Sequence, residues 1–180
     1  MDMLAPSLLA AVPQMQDPNF ARTVTLLIEA GPEGAFGLVV NRLSPLMLAD
    51  ICAQKDLPCT REMFVRVGGP CETDRAWVLH GPALREEGSF EVRPGVMLTP
   101  SWEMLGRLAQ SKEESFLVML GYAGWGPGQL ERELAEGAWL LADIDEQIIF
   151  NTRDTDMWRT VIHAMGLNPG HIAPGGGGVH

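Results

Sequence analysis

The hydrophobic positions of this chain recur in short runs, and their pattern predicts more strands than helices. Runs of roughly four to eight apolar and β-branched residues, bounded by turn-forming residues, are typical of β-strands. Such runs lie at residues 5–12, 23–29, 35–40, 63–67, 75–80, 91–98, 116–120 and 138–142. The second and third runs flank a Pro-Glu-Gly turn at residues 32–34, so we predict that they form a hairpin. Pro94 and Gly95 divide the sixth run into two short strands.

Three segments show the spacing of apolar positions that indicates a helix. They lie at residues 48–55, 99–110 and 154–165. The first is preceded by Met47, so its N-terminal cap is expected to be weak or to come from Ser44. Thr99 is expected to cap the second helix, with Pro100 in its first helical position. The third has the most regular apolar stripe, formed by Met157, Trp158, Val161, Ile162 and Met165.

One stretch combines a strand, a cluster of glycines and a helix. The apolar run at residues 116–120 is followed by four glycines, which predicts that the strand ends in a glycine-rich turn at residues 121–128. Leu130 and Leu134 then recur at helical spacing, so a helix is expected after the turn. Such a junction is where proteins with both strands and helices often place a site. The aromatic and polar side chains at this junction are Tyr122, Trp125, Gln129 and Glu133.

Four motifs resemble, in the same order, those of the YqgE/AlgH family of bacterial proteins. They are V-V-N-R at residues 39–42, G-G-P at 68–70, D-R-A-W-V-L-H at 74–80 and L-G-Y-A-G-W-G-P-G-Q-L-E-R-E-L at 120–134. The likeness covers most of the chain. It implies an α+β fold in which a mostly antiparallel sheet is bent into a pseudo-barrel and flanked by helices. It also implies a connection with the regulation of transcription.

Length and composition predict a single domain over residues 1–173, followed by a Gly-rich C-terminal tail at residues 174–180. No apolar stretch approaches the ~20 residues of a membrane span, and the acidic Asp2 argues against a signal peptide. The three cysteines show no C-x-x-C spacing, so free thiols in a reducing compartment are expected. Together these features predict a cytoplasmic protein without a membrane segment.

The net charge of the chain indicates which kinds of binding partner it favours. The chain carries 13 Lys and Arg against 23 Asp and Glu, a formal net charge of −10. A domain this acidic repels a phosphate backbone, whereas duplex-DNA binders usually present a basic face. Direct binding of nucleic acid is therefore disfavoured. For a regulator of transcription, the charge favours an indirect route, through a small anionic effector or a protein partner.

The motifs supply a set of residues predicted to bind a ligand or partner. Arg42 is the strongest anion candidate, because a guanidinium can bind a carboxylate or phosphate through two parallel hydrogen bonds. The amides at residues 68–70 could cradle an anion, although a plain tight turn is the simpler interpretation. The alternative for Tyr122 and Trp125 is that they plug one end of the barrel. The full set is Asn41, Arg42, Gly69, Arg75, Tyr122, Gly124, Trp125, Gln129 and Glu133.

The alternative function is an enzyme or nucleotide-binding protein that uses the glycine-rich turn at residues 121–128 with Arg42, His80 and Glu133. His80 and Glu133 are its candidates for acid–base catalysis. However, the third glycine comes too early for a dinucleotide fingerprint, no Walker lysine follows it, and the chain has no G-x-S-x-G motif. The histidines and cysteines lack metal-ligand spacing. The sequence therefore predicts no cofactor and no metal, and it favours a binding protein over an enzyme.

Overall fold

The computed structural model describes residues 4–111 and 115–171, so the predicted tail at residues 174–180 lies outside the described part. The strands are β1 (Ser7–Ala11), β2 (Val24–Gly31), β3 (Gly34–Val39), β4 (Leu43–Met47), β5 (Phe64–Val67), β6 (Cys71–His80), β7 (Phe90–Arg93), β8 (Val96–Thr99), β9 (Phe116–Trp125) and β10 (Trp139–Ala142). The helices are α1 (Leu48–Gln54), α2 (Trp102–Ala109), α3 (Gln129–Ala135), α4 (Glu146–Asn151) and α5 (Asp154–Ala164). Each strand and helix predicted from the hydrophobic pattern overlaps one of these elements.

The sheet is mostly antiparallel and curls into a half-barrel, which confirms the α+β fold that the family resemblance implied. Its strand order is β10-β1-β2-β3-β9-β6-β8-β7, and β4 joins it through β5. Strands β2 and β3 form the predicted hairpin. The contact of β5 with β9 is the one parallel pair within the described residues. Because strands twist, an open sheet of this many strands curls instead of staying flat.

Strand β9 lies at the centre of the sheet and contradicts one prediction. It runs through to Trp125, so the prediction that the strand ends in a glycine-rich turn at residues 121–128 is wrong. Its first half pairs with β5 and β6, and its second half pairs with β3. Gly121 lies between the two halves with φ +81°, and a Cβ there would be 2.5 Å from the carbonyl oxygen of Gly69. This glycine therefore permits a close strand contact, and the turn itself is confined to residues 126–128.

Gly121 also determines which face of the sheet the following side chains occupy. Before it, Leu117 and Met119 contribute to one core; after it, Tyr122 packs against that same core and Trp125 lies in the core on the opposite face. A strict two-residue alternation would have put Tyr122 on the other face. The register of β9 against β6 also shifts here, because β6 advances five residues from Cys71 to Ala76 while β9 advances two from Leu120 to Tyr122. We call this irregularity of the strand pair, with its change of face on β9, the bulge at Gly121.

Three hydrophobic cores cover the two faces of the sheet. The largest lies between one face and the helices α4 and α5, which contribute Ile149, Trp158 and Ile162. On the opposite face, one core packs α1 and α2 against β5, β6 and β9. The other core on that face packs α3, through Leu130, against β1, β2 and β10. Because both faces are covered, successive residues of β6 are buried from Ala76 to its end.

Two predictions about the starts of helices are wrong. Thr99 is the buried last residue of β8, and α2 is capped by Ser101, whose Oγ accepts a hydrogen bond from the Met104 amide at 3.1 Å. Of the two alternatives for α1, a cap by Ser44 is wrong, because the Ser44 hydroxyl accepts from the Leu46 amide at 3.1 Å and donates to the Val65 carbonyl. The alternative of a weak cap is confirmed, since no described side chain caps α1 at Met47. Among the described residues, no helix has both the length and the apolar character needed to span a membrane.

The cysteines behave as the sequence predicted. All three are free thiols, with Cys52 buried and Cys59 and Cys71 half-buried. Burial, together with the neighbouring Cys59, raises the pKa of the Cys52 thiol to about 11. Since the thiolate is the reactive form, Cys52 is chemically inert near neutral pH.

Candidate functional site

A cleft of about 430 Å³ opens beside the bend in β9. Its size falls in the range of small-molecule sites, roughly 300–1,000 Å³. We call it the aromatic cleft, because four aromatic side chains contribute to an otherwise mostly aliphatic wall. The residues that line it are Ile28, Glu29, Phe36, Arg75, Trp77, Gly88, Phe90, Leu98, Pro100 and Tyr122.

Three rings on the wall of the cleft contact one another. The Phe36 ring lies 5.0 Å from the Trp77 ring and 5.2 Å from the Tyr122 ring, and Trp77 and Tyr122 meet edge to face at 6.3 Å. The guanidinium of Arg75 lies over the Trp77 ring at 4.4 Å, within the range of a cation–π contact. We call these three rings the open cluster. It exists because the bulge at Gly121 turns Tyr122 toward Phe36 and Trp77.

The polar edge of the open cluster is charged and exposed. The Tyr122 hydroxyl donates to Glu72 Oε2 at 2.8 Å, and Glu72 Oε1 lies 4.0 Å from Arg75 Nη1. The hydrogen bond to Glu72 is the main cause that raises the pKa of Tyr122. Both charged side chains are about half exposed, so the ion pair contributes little to stability and can exchange partners at low cost.

The indole of Trp77 leaves one polar group unsatisfied. Trp77 is 7% exposed, and its Nε1–H is buried without a hydrogen-bond partner among the described residues. Native proteins pair nearly all such groups, and an unpaired one is costly. Trp77 lines the cleft, but its Nε1 is itself enclosed, so an acceptor on a ligand reaches this donor when neighbouring side chains of the cleft move.

Three further rings form a cluster that is chemically complete. Phe20, Trp125 and Trp139 contact one another at 5.5 to 6.4 Å. Glu133 Oε1 accepts from the indole nitrogens of Trp125 at 3.0 Å and Trp139 at 2.9 Å. Glu133 Oε2 accepts from Gln129 at 3.0 Å, and the Gln129 oxygen accepts from the Gly126 amide. We call this the closed cluster, because its donors and acceptors satisfy one another.

Asn41 and Arg42 lie away from both clusters, against the loop that precedes β2. Asn41 Oδ1 accepts from the Val24 amide at 2.8 Å, and its Nδ2 donates to the Arg22 carbonyl at 3.0 Å. Arg42 donates to the Pro18 carbonyl through Nη1 and to the Ala21 carbonyl through Nη2, the latter at 2.8 Å. Both side chains therefore hold this loop in place.

Comparison with known proteins identifies the family. A model of the AlgH-like family matches residues 8–170. The chain belongs to the AlgH-like family. A UPF0301 protein of Myxococcus xanthus is 38% identical over 180 residues, which cover 98% of this chain and 99% of the relative. A UPF0301 protein of Photobacterium profundum is 39% identical over 174 residues, which cover 92% of this chain and 93% of the relative.

Two solved structures share the fold of this AlgH-like chain. The solution structure of the AlgH protein from Pseudomonas aeruginosa superposes with a TM-score of 0.78 at 38% identity, over 92% of this chain and 90% of that one. A crystal structure of a Corynebacterium diphtheriae protein gives a TM-score of 0.73 at 20% identity, over 91% of this chain and 88% of that one. At 20% identity, the match to the Corynebacterium diphtheriae protein shows only that the two folds are alike. Together the matches confirm the resemblance read from the motifs.

The residues predicted to form one binding surface of this AlgH-like protein fall into separate places. Arg75 and Tyr122 meet in the aromatic cleft. The exposed Gly124 lies at its edge, where an added Cβ would be 3.6 Å from the Tyr122 ring. Gly69 is buried against the Tyr122 backbone, so its amide is no open anion cradle. The closed cluster takes up Trp125, Gln129 and Glu133, which favours the interpretation of Trp125 as a plug.

The candidates for catalysis are not brought together. His80 is buried, and its two ring nitrogens lie within hydrogen-bond distance of the Gly81 carbonyl at 2.8 Å and the Thr99 hydroxyl at 2.7 Å. Glu133 belongs to the closed cluster, and Arg42 borders a different cleft. Within the described residues, no three His, Cys, Asp or Glu side chains form a group that could hold a metal ion.

Sequence reasoning missed the residues that complete the aromatic cleft. Phe36, Glu72 and Phe90 lie outside the family motifs, and Trp77 is not among the residues predicted to bind a ligand. Trp77 does lie in the D-R-A-W-V-L-H motif beside Arg75, so the signal was present. However, Trp77 can be recognised as a cleft residue only when the position of Tyr122 is known, and that position depends on the bulge at Gly121.

Proposed function

We propose that this AlgH-like protein is a regulatory binding protein whose aromatic cleft takes a small anionic effector with an aromatic or apolar body. The observation that carries the proposal is the Trp77 indole N–H, which is buried without an acceptor among the described residues. A ligand acceptor that reaches this enclosed donor, as side chains of the cleft move, would recover the free energy lost by leaving the donor unpaired. Arg75, over the same indole ring, supplies a positive charge for the anionic group.

The lining of the cleft supports a ligand that is flat and partly apolar. The rings of the open cluster offer faces and edges for stacking, and Phe90 at the cleft is 44% exposed. Few polar groups converge on the cleft, which is the usual composition of a small-molecule site. An anion bound to Arg75 competes with Glu72, whose 4.0 Å contact with Arg75 is long and exposed, and it shares the cleft with one lining carboxylate, Glu29.

We further propose that the effector acts on transcription indirectly, through a protein partner in the cytoplasm. The net charge of −10 opposes contact with a phosphate backbone, whereas it does not oppose association with a protein. Phe90 offers an exposed apolar group at the mouth of the cleft, where a bound effector would change the surface that a partner meets.

A thermal-shift screen of aromatic carboxylates and aryl phosphates tests the effector site. A ligand present at about 100 times its Kd stabilises the folded state by roughly 2.7 kcal/mol. For a chain of this size that corresponds to about 5–10 °C in Tm. Hits are then measured by calorimetry on Arg75→Ala and Trp77→Phe. Arg85→Ala is the matched control, because Arg85 also pairs with a surface glutamate, at 3.0 Å, but does not line the cleft.

We expect each cleft variant to raise the Kd of a hit by about tenfold, the loss of one hydrogen bond or charge contact. Arg85→Ala should bind as the wild type does. Ligands that bind Arg75→Ala and Trp77→Phe as tightly as the wild type would contradict the assignment of the site. A screen without any hit would contradict the effector proposal itself.

A further inference from the structure

A second cleft, of about 480 Å³, lies between the loop that precedes β2 and the first turns of α5. We call it the arginine cleft. Among the described residues that line it, Arg22, Arg42 and Arg159 are basic and Asp154 is acidic. The chain as a whole carries a net charge of −10, so this concentration of positive charge runs against its composition. A local positive potential in a concave site attracts and concentrates anions.

A fourth arginine offsets the one acidic side chain in the cleft. Arg66 pairs with Leu43 in the sheet, and its guanidinium donates to the Val40 carbonyl. Burial lowers the pKa of Arg66, and the Asp154 carboxylate opposes this shift. With three arginines against one aspartate in its lining, the cleft keeps a positive balance.

Two of the three arginines, Arg22 and Arg42, are held in place by the protein before any ligand binds. Arg42 donates two hydrogen bonds to the loop carbonyls of Pro18 and Ala21. A guanidinium has five N–H donors, so these two bonds leave donors for a ligand. Arg22 follows in the same loop, and its guanidinium lies 4.9 Å over the ring of the buried Trp158. Fixed side chains lose little conformational entropy on binding.

The backbone at Arg22 is also unusual. Its φ of 56° is in the left-handed region, which non-glycine residues rarely adopt. Asn41 stabilises this conformation by donating to the Arg22 carbonyl at 3.0 Å. Strained residues persist where the surrounding structure holds them, and they often mark binding sites. Asn41 and Arg42 thus act as positioning residues for Arg22.

We propose that the arginine cleft binds a small anion of the phosphate or pyrophosphate class. Arg22 and Arg159 contact the anion from the two sides of the cleft, and Arg42 contributes the donors that it does not use in the loop. Phosphate oxygens accept several charge-assisted hydrogen bonds at once, which suits a cleft lined by three arginines. Among the described lining residues, none is shared with the aromatic cleft, so this site is independent of the effector proposal.

Calorimetric titration of the full-length protein with inorganic pyrophosphate tests the proposal, at about 0.15 M salt so that exposed charges are screened. Arg159→Ala removes an exposed guanidinium from the cleft. Arg22→Gly removes another while permitting the left-handed backbone. Arg132→Ala is the control, because it removes an exposed arginine of α3 outside the cleft and changes the net charge equally. We expect each cleft variant to raise the Kd about tenfold and the control to leave it within about twofold.

Titrations with other ligands distinguish which anion the cleft binds. Binding of a nucleoside triphosphate with the same dependence on Arg22 and Arg159 would support the proposal and place the anion on a nucleotide. The proposal is overturned if pyrophosphate does not bind at about 10 mM, or if Arg132→Ala weakens binding as much as Arg159→Ala does. Sulfate binding as tight as that of pyrophosphate would indicate an adventitious ion only. Binding of duplex DNA alone would overturn it in favour of nucleic-acid contact.

The two proposals can fail separately. Arg75→Ala and Trp77→Phe should leave pyrophosphate binding unchanged, because neither residue lines the arginine cleft. If these variants abolish pyrophosphate binding, the anion binds in the aromatic cleft, and the proposal of a site in the arginine cleft is wrong. Far-ultraviolet circular dichroism of every variant verifies that each is folded, so that a loss of binding reports on the site.

Discussion

The open and closed clusters use the same kinds of residues for different ends. Each contains three aromatic rings, and in each a glutamate accepts a hydrogen bond from an aromatic side chain. They lie on opposite faces of the sheet, and neighbouring residues of β9, Tyr122 and Trp125, contribute to them. In the closed cluster Glu133 satisfies both indole groups, whereas in the open cluster the Trp77 indole has no acceptor among the described residues.

This difference shows that completeness of hydrogen bonding, more than residue type, distinguishes a structural plug from a candidate site. A closed network fixes the end of β9 to α3 and leaves little for a ligand to bind. An open network retains an unpaired donor, a half-exposed ion pair and a cleft beside it.

The bulge that separates the two clusters should be the most sensitive position. Gly121→Ala places a Cβ 2.5 Å from the Gly69 carbonyl oxygen at a positive φ. We expect a loss of about 4 kcal/mol in the free energy of unfolding, from backbone strain and overpacking. Gly124→Ala is the control, since its nearest neighbour would be the Tyr122 ring at 3.6 Å. Urea unfolding measures both, and equal losses would contradict the role of the bulge.

Disruption of the closed cluster should lower the stability of the protein. Glu133→Ala leaves the indole groups of Trp125 and Trp139 without their acceptor. Two unsatisfied donors should lower the free energy of unfolding by about 3 kcal/mol. The exposed Glu136→Ala, in the same helical region, makes the same change in charge and should cost about 0.5 kcal/mol or less. A loss in Glu133→Ala no greater than in this control would show that the network is not stabilising.

The two tryptophans should respond differently to removal of the indole nitrogen. Trp139→Phe removes a hydrogen bond to the Glu133 carboxylate, whereas Trp77→Phe removes a donor that has no described partner. Both substitutions reduce the volume of the side chain equally. We therefore expect Trp139→Phe to be less stable than Trp77→Phe by about 2 kcal/mol. Chemical denaturation of the two variants measures this difference in the free energy of unfolding. If both variants lose the same amount, the Trp77 indole has an acceptor after all, which would contradict the comparison.

The smallest effect concerns the hydroxyl of Tyr122, the one tyrosine of the chain. Its hydrogen bond to Glu72 raises its pKa above the ordinary value of 10.0. The folded state thus favours the protonated phenol, so this contribution to stability is complete below pH 10.0 and is lost as the pH rises through the folded pKa. Phenolate absorbance should show a midpoint above 10.0 that falls in Glu72→Gln. A midpoint unaffected by Glu72→Gln would contradict the contact.

Much of the fold could be predicted from the sequence, because long apolar runs and a regular helical stripe dominate local structure. Two elements could not. Strand β4 contains Pro45, which lacks an amide hydrogen and disfavours a strand, and three of its five residues are exposed. Helix α4 spans six residues, too few to show a helical period, although Asp145 caps it by accepting from the Gln147 amide at 2.9 Å.

The candidate site could be predicted only in part. Arg75 and Tyr122 were recognised from their motifs, but their meeting with Phe36 and Trp77 depends on the change of face at Gly121. Residue types do not reveal such a change, since glycines indicate both turns and bulges. Arg42 and Glu133 have the right chemistry for a ligand, yet the tertiary structure places both of them outside the aromatic cleft.

Binding at the Trp77 indole can be followed through the indole N–H resonances of the five tryptophans. In ¹⁵N-labelled protein, Trp77→Phe, Trp125→Phe and Trp139→Phe assign three of these resonances. During titration with the tightest aromatic carboxylate from the screen, the account predicts that the Trp77 signal moves downfield as it gains an acceptor. The Trp125 and Trp139 signals should stay in place, because Glu133 already accepts from both. Binding that leaves the Trp77 signal unchanged would contradict the account.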